Sequence, residues 1–377
     1  MTEKTVPAPR SVLLAGGGTT GHVSPLLAVA DALGRRWPQT QITALGTEAG
    51  LEAWLVPEHG YELRFVPRVP MPRRIEPALV RLPAALLGAV QAAGRAVAER
   101  GVDVVVGFGG YASTPAYLAA RRHGLPFVVH EQNARPGLAN RLGARLTRYV
   151  ATTFAATSLP HARLVGMPLR PEIAALDRAA HRQEGLAHFG LEPGPVTLLV
   201  TGGSLGAQRL NEAFARSRAL SGAGVQVLHL SGRGKQFTPE PAPTGARYVV
   251  VPYTDRMDLA YSVADLVVCR AGASTVCELT AVGLPAVYVP LPVGNGEQRF
   301  NAAEVIAAGG GRLVDDATVT SEWVDTTLLA LLLDRTRLAA MAGAARSVGH
   351  PHADERMVDL IGEAVSSRTR ATRGGHR

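Results

Sequence analysis

Glycines, hydroxyl and amide side chains and two histidines gather at the ends of short apolar runs in this sequence. The first such cluster is Gly16-Gly17-Gly18-Thr19-Thr20-Gly21-His22. Its glycines permit a tight turn and let a ligand approach backbone N–H groups at a helix start. Gly16, Gly18 and Gly21 fit G-x-G-x-x-G, a dinucleotide pattern that wants an acidic residue ~20 positions on. Glu48 is the available acid, somewhat later than that. His22 falls in the first turn of the expected helix, where the positive end of the helix dipole disfavours the imidazolium. A neutral imidazole there can serve as a general base near pH 7. It can equally do no more than hydrogen-bond its own loop.

A second glycine loop, Thr201-Gly202-Gly203-Ser204-Leu205-Gly206-Ala207-Gln208, lacks the Lys-Ser/Thr ending of a P-loop. It still offers N–H groups and the Ser204 hydroxyl to an anion, most simply a diphosphate. A third junction, Cys269-Arg270-Ala271-Gly272-Ala273-Ser274-Thr275-Val276-Cys277-Glu278, lets Ser274 or Thr275 cap a helix. Glu278 then clamps a ribose or merely complements the helix dipole, and by itself the second reading is the better one. Gln298 and Asn301 share a helical face after a polar loop, and their amides suit sugar hydroxyls. In the first half, Phe108-Gly109-Gly110-Tyr111-Ala112-Ser113 and His130-Glu131-Gln132-Asn133, the latter followed by Pro136-Gly137-Leu138-Ala139-Asn140, place polar groups directly after strands. No D-x-D metal motif is present. Helix N-termini and Arg must then stabilise any leaving diphosphate.

The elements that position these residues alternate between strand and helix. Strands are expected at Ser11 to Ala15, Thr40 to Leu45, Val102 to Val106, Pro126 to His130 and Arg148 to Ala151, with a helix from Val23 to Arg36. The pattern restarts at Val196 to Val200 and continues with Val225 to Leu230, Arg247 to Val251, Asp265 to Cys269 and Pro285 to Val289. A helix is expected from Ala207 to about Ala219. Uninterrupted apolar strands between helices imply parallel sheets covered on both faces. The fold class is therefore α/β, with two Rossmann-like doubly wound domains and a boundary near Gly166 to Arg170. Ligands of such sheets bind outside the carboxyl ends of the strands, so two facing sheets imply one interdomain cleft. A helix pair, Ser321 to Leu333 and Arg335 to Ala345, precedes a terminal helix from His352 to Ser366.

Composition narrows the function classes. The net charge is +8, and Lys occurs only at Lys4 and Lys235. Residues 11–165 hold 16 Arg against 9 acids, whereas residues 166–367 hold 17 cations against 21 acids. The last ten residues add four Arg and read as a solvated tail. Acids concentrated in one half, with no basic-aromatic module, argue against nucleic acid as a partner. Cys269 and Cys277 cannot form a disulfide scaffold or a Cys-rich zinc site, and a reducing compartment suits them. The first ten residues lack the apolar core of a signal peptide. The longest membrane-span candidate, Leu82 to Ala93, is shorter than the ~20 residues needed and contains Pro83. Met71 to Val90 mixes Arg73, Arg74 and Arg81 with Ile75, Leu79, Val80, Leu82, Leu86 and Leu87. That mixture fits an anionic membrane interface as well as it fits an amphipathic core helix.

Together, GGGTTGHVSPLLAVADAL, FGGYAS, HEQN with ARPGLANR, GMPLR, GGSLGAQRLN, CRAGASTVCELTAVGLPAVYVP and EQRFNA resemble the MurG family of GT-B glycosyltransferases, in the right order from about Val12 to Asp315. The resemblance implies a GT-B fold and an inverting, metal-independent transfer without cofactor. It implies that GlcNAc passes from UDP-GlcNAc to the C4 hydroxyl of MurNAc in lipid I, giving lipid II for peptidoglycan, a step of cell-wall biogenesis on which cell shape and division depend. It implies a donor-binding domain over 166–350 and an acceptor- and membrane-facing domain over 11–165. By the same resemblance a terminal helix over 351–367 would cross back to the latter, with tails at both ends. The chain would then be cytoplasmic, peripheral on the inner face of an anionic membrane, and a candidate partner of cell-wall synthesis proteins.

By position, the resemblance assigns Thr19, Thr20, Gly21 and Asn133 to the donor from the N-terminal side. Arg170, Ser204, Thr254, the stretch Ala273, Ser274, Thr275, Val276, Cys277 and Glu278, and Gln298 form the rest of the donor site. Glu278 becomes the ribose clamp, and Gln298 and Asn301 address the GlcNAc hydroxyls. His22 becomes the candidate base, with Tyr111, Glu131 and Asn140 on the acceptor side. Two residues depart from the family pattern: Thr20 stands where a small residue is usual, and Met167 where Asn is commoner. An epimerase acting on the same donor and an NAD-dependent dehydrogenase are the rival enzymes.

Overall fold

A computed structural model describes residues 8–69, 82–203, 206–240, 245–293 and 296–374. The chain forms two compact units. One comprises the chain up to Arg170 together with the segment from His352 onward, and the other comprises Pro171–Pro351.

The first unit holds seven parallel strands: β1 (Ser11–Ala15), β2 (Gln41–Gly46), β3 (Glu62–Phe65), β4 (Val104–Gly107), β5 (Phe127–Glu131), β6 (Val150–Thr152) and β7 (Ala162–Leu164), ordered β3-β2-β1-β4-β5-β6-β7. Successive residues of a strand face opposite sides of the sheet. Val12 and Leu14 accordingly enter one buried cluster, Leu13 and Ala15 the other. Burial on both faces explains why β1 and β4 carry no polar alternation. The terminal helix, Ala353–Gly374, puts Ala353, Met357, Val358, Leu360, Ile361 and Ala364 into the cluster with Val12 and Leu14. Each large apolar side chain so buried contributes about 1.5–3 kcal/mol. Arg35–Asp354 at 2.7 Å and Arg163–Glu363 at 2.6 Å flank this packing. The helix outruns its expected end, continuing to Gly374 into the segment read as a tail. The unit also passes residue 165, because Val165 sits in its core and the Gly166 carbonyl accepts from His130 Nε2.

The second unit holds six parallel strands: β8 (Val196–Thr201), β9 (Val225–Leu230), β10 (Tyr248–Val251), β11 (Leu266–Cys269), β12 (Ala286–Tyr288) and β13 (Gly311–Leu313), ordered β10-β9-β8-β11-β12-β13. Leu198 and Val200 anchor its largest core cluster. The helix expected to run unbroken over 321–333 contains a π-helical turn at Val324–Leu328.

Both sheets reverse strand order at one point, between β1 and β4 in the first and between β8 and β11 in the second. Loops that leave such a pair diverge to opposite faces and open a crevice at the carboxyl edge. The motifs at 16–22, 107–113, 202–207 and 269–274 follow these four strands, the first three of them rich in glycine. No described helix is long and apolar enough to cross a membrane.

Candidate active site

In the first unit, the helix Thr20–Arg36 begins directly after the glycine loop. Gly18 has φ +91°, a left-handed conformation that costs glycine nothing. Thr19 is the N-cap but makes no capping bond, and its Oγ1 instead lies 3.0 Å from His22 Nδ1. Burial pushes the His22 ring toward its neutral form, and the Glu52 carboxylate opposes that shift. The other side of the ring faces the loop after β4. A Cβ at Gly109, where φ is +87°, would stand 3.1 Å from His22 Nε2 and 3.4 Å from Asn140 Nδ2. A Cβ at Gly110 would overlap the Gly17 carbonyl oxygen. The two loops therefore close on each other only because glycine occupies both positions. Thr20, the departure from the family pattern, is exposed, whereas Met167 is buried.

The residues after β5 form a hydrogen-bonded network. Glu131 is buried, and its oxygens accept from the Asn133 amide at 2.9 Å, the Gly137 amide at 3.0 Å and Asn140 Nδ2 at 2.9 Å. Burial raises its pKa and these bonds work against the rise. Asn140, 2% exposed, also donates to the His130 carbonyl at 2.9 Å and accepts from Tyr117 Oη at 2.8 Å. Both residues were expected on the acceptor side. In the structure they organise the loop from within: neighbouring groups hold both oxygens of the carboxylate and both ends of the amide. Asn133 is half-buried in the loop that they shape. His130 is neutral, its pKa pushed down to about 4 by burial. Tyr111 is half-buried; Arg68 lies over its ring at 4.5 Å and donates to its Oη at 3.1 Å.

In the second unit, a Cβ at Gly202 would overlap the Ala207 amide nitrogen, and one at Gly206 the Ser231 carbonyl oxygen. Ser204 lies outside the described residues. The helix Ala273–Ala281 starts at Gly272 with neither a capping side chain nor an acid in its first turn. Its leading amides are thus left for an anion. Ser274 Oγ is buried there without a hydrogen-bond partner. Thr275 and Cys277 are half-buried, and Ala273 and Val276 are buried, so Val276 can meet a ligand only through its backbone. Burial raises the thiol pKa of Cys269 and Cys277. Glu278 is half-buried, and Tyr261 Oη donates to its Oε2 at 2.6 Å. Thr254 Oγ1 accepts from the Arg256 amide at 3.0 Å, and Gln298 Oε1 from the Leu291 amide at 2.9 Å. Asn301 is 1% exposed and braces the turn at Ala271, with Nδ2 3.4 Å from that carbonyl. Arg170 is half-buried at the end of the first unit.

Three supporting residues escaped the sequence reading. Tyr261, buried on the helix Met257–Val263, fixes Glu278 across 17 residues. Arg270 forms an ion pair with Asp316 at 2.6 Å, tying the loop after β11 to the segment after β13. Glu52, fully buried, accepts from the Gly18 amide, the Thr47 amide and Thr47 Oγ1, each at 2.8 Å. The one signal for Glu52 was its place among glycines, since a Cβ at Gly17, Gly46 or Gly50 would overlap its side chain. Glu48, the acid considered for a dinucleotide ribose, is exposed. Among the described residues, no group of three or more His, Cys, Asp or Glu is placed to hold a metal ion.

Comparison with known proteins matches residues 12–152 to the glycosyltransferase family 28 N-terminal domain and residues 197–357 to the glycosyltransferase family 28 C-terminal domain. The UDP-N-acetylglucosamine--N-acetylmuramyl-(pentapeptide) pyrophosphoryl-undecaprenol N-acetylglucosamine transferase of Acidothermus cellulolyticus is 54% identical over 95% of this chain and 98% of its own. The protein of the same name from Leifsonia xyli is 56% identical over 94% of this chain and 99% of its own. The crystal structure of Acinetobacter baumannii MurG superposes with a TM-score of 0.77 at 32% identity, covering 94% of this chain and all of that one.

Proposed function

The chain belongs to glycosyltransferase family 28, and we propose that it transfers GlcNAc from UDP-GlcNAc to the C4 hydroxyl of MurNAc in undecaprenyl-diphosphate-linked lipid I, giving lipid II. The observation that carries this reading is near-full-length identity, 54% over 95% of the chain, to a transferase of that specificity. The geometry is compatible with the following roles.

The acceptor hydroxyl attacks the anomeric carbon from the face opposite UDP as the C1–O bond to the diphosphate breaks. His22 takes the hydroxyl proton. The tautomer that allows this has Nδ1–H donating to Thr19 Oγ1, which leaves the Nε2 lone pair facing Gly109. Burial keeps the ring neutral near pH 7, as a base requires. In the second unit, the uncapped helix start at Ala273 and the Ser274 hydroxyl bear the charge that develops on the leaving diphosphate. Ser204, Arg170, Thr254 and Gln298 complete the donor contacts, and Glu278 accepts the ribose hydroxyls in the orientation that Tyr261 sets. Thr19, Thr20, Gly21 and Asn133 meet the donor from the first unit, and Tyr111 meets the acceptor.

We place the first unit against the cytoplasmic face of an anionic membrane. Residues 70–81, the core of the basic-apolar segment, lie outside the described residues. The described surface adds its own support. On the helix Leu138–Ala144, exposed Leu138, Arg141 and Leu142 line one face with Arg145 just beyond, and Leu87 is exposed on the helix Leu82–Glu99. Apolar side chains flanked by Arg suit a headgroup interface.

The test is UDP release from UDP-GlcNAc with and without a lipid I analogue. Acceptor-dependent release is the expected result. Release of UDP with free sugar, or of epimer, in the absence of acceptor would favour the epimerase-type alternative.

A further inference from the structure

Glu52 is fully buried on the short helix Glu52–Glu58, yet every donor aimed at it comes from a loop at the carboxyl edge of the first sheet. The Thr47 amide and hydroxyl bind Oε1 and the Gly18 amide binds Oε2, each at 2.8 Å. A carboxylate is the side chain that can accept all three at once. Gly17, Gly46 and Gly50 leave the space that it fills. A structural anchor for β2 alone would need only the two Thr47 bonds. The third bond reaches out of that loop to the residue just before Thr19, whose Oγ1 meets His22 Nδ1.

We propose that Glu52 is a positioning residue for the transfer: its carboxylate fixes the turn that carries Thr19 and His22, and supplies a buried negative charge that favours the imidazolium formed as the acceptor proton arrives. The inference rests on His22 being the base. In the step itself, the acceptor O–H proton moves to His22 Nε2, the oxygen bonds to C1, and the electron pair of the C1–O bond leaves with UDP. Glu52 exchanges no proton and touches neither sugar.

The surroundings of His22 support the charge role. Glu52 is the charged group whose field acts on the ring, and it raises the ring's proton affinity against the effect of burial. From the helix Leu138–Ala144, the neutral amide of Asn140 faces the same region, with Glu131 behind it. The loop after β4 brings Gly109, and its one titratable group is Tyr111.

The experiment compares Glu52→Gln, Thr47→Val and His22→Ala with the full-length wild-type chain, using UDP-GlcNAc and a lipid I analogue over a pH series. Glu52→Gln keeps the shape but presents an N–H where Gly18 needs an acceptor. It should lower kcat about 10- to 100-fold and leave UDP affinity by calorimetry unchanged. Removing the anion lowers the proton affinity of the imidazole, so the acid limb of kcat/KM should move to lower pH. Thr47→Val keeps the charge and loses one bond, so it should lower kcat with the limb in place. Wild-type kcat in Glu52→Gln and Thr47→Val would overturn the positioning role. An unmoved limb in Glu52→Gln would overturn the charge role. His22→Ala should abolish the acid limb, and a limb that survives there would contradict His22 as base while leaving the loop geometry as found.

Discussion

Glu278→Gln replaces the carboxylate that Tyr261 holds with an amide of the same shape. In the wild type, Tyr261 Oη donates to Oε2 at 2.6 Å, a short charge-assisted bond from a buried donor. A carboxylate so oriented can accept both hydroxyls of a ribose, whereas glutamine offers one acceptor oxygen and must donate from its other end. Loss of one bond to a charged group is worth about 1.5–3 kcal/mol. Because Glu278 is only half-buried, water screens part of this, and the lower end applies. UDP should therefore bind about tenfold more weakly, at roughly 1.4 kcal/mol per decade. Tyr261→Phe keeps the charge and removes the anchor, and should weaken UDP about three- to tenfold, below the full value of a bond to a charged group because the carboxylate that meets the ribose stays. The two losses should not add, since one acts through the other. Isothermal calorimetry with UDP reads both, and thermal denaturation confirms that the second unit is intact. Wild-type UDP affinity in both variants would refute the clamp.

His22→Ala should lower turnover by about 10²–10⁴-fold with UDP-GlcNAc affinity retained; near-normal turnover would remove His22 from the role. Because burial lowers the His22 pKa from its ordinary 6.5, the neutral base should persist below that pH, and kcat/KM should fall on the acid side only below pH 6.5; a midpoint above that value would contradict the burial argument. Gly109→Ala forces a side chain into a left-handed backbone and against His22 Nε2, so it should reduce kcat far more than UDP affinity in a steady-state assay. Reversing Arg141 and Arg145 to Glu should weaken co-sedimentation with anionic vesicles by at least about tenfold, given roughly 1 kcal/mol per basic residue near the surface; unchanged sedimentation would count against that face.

Most strands legible in the sequence are buried on both sides, although the partly buried edge strand β10 is legible too. SVLLA and VTLLV are uninterrupted apolar runs because helices cover both faces of each sheet. β3 (ELRF), β7 (ARL) and β13 (GRL) escaped notice: they are short and lie toward the sheet edges, where an Arg or Glu is tolerated. The glycine loops were legible because only glycine takes Gly18 through φ +91° or lets Gly110 sit on Gly17. What a sequence does not display is where a polar side chain's bonds go. Asn140 and Asn301 look like ligand-binding amides, yet Tyr117, Glu131 and the His130 and Ala271 carbonyls engage them. Glu52 belongs to no motif, and only the approach of Gly18 from 34 residues away makes it a buried support.

Direct transfer of GlcNAc to one hydroxyl with inversion is tested by the structure of the product formed from UDP-GlcNAc and a lipid I analogue, with mass spectrometry giving the added sugar and proton NMR the anomeric coupling and the linkage carbon. The expected product carries one β-linked GlcNAc on C4 of MurNAc. An α linkage, a different hydroxyl, or free or epimerised sugar in place of a disaccharide would contradict it.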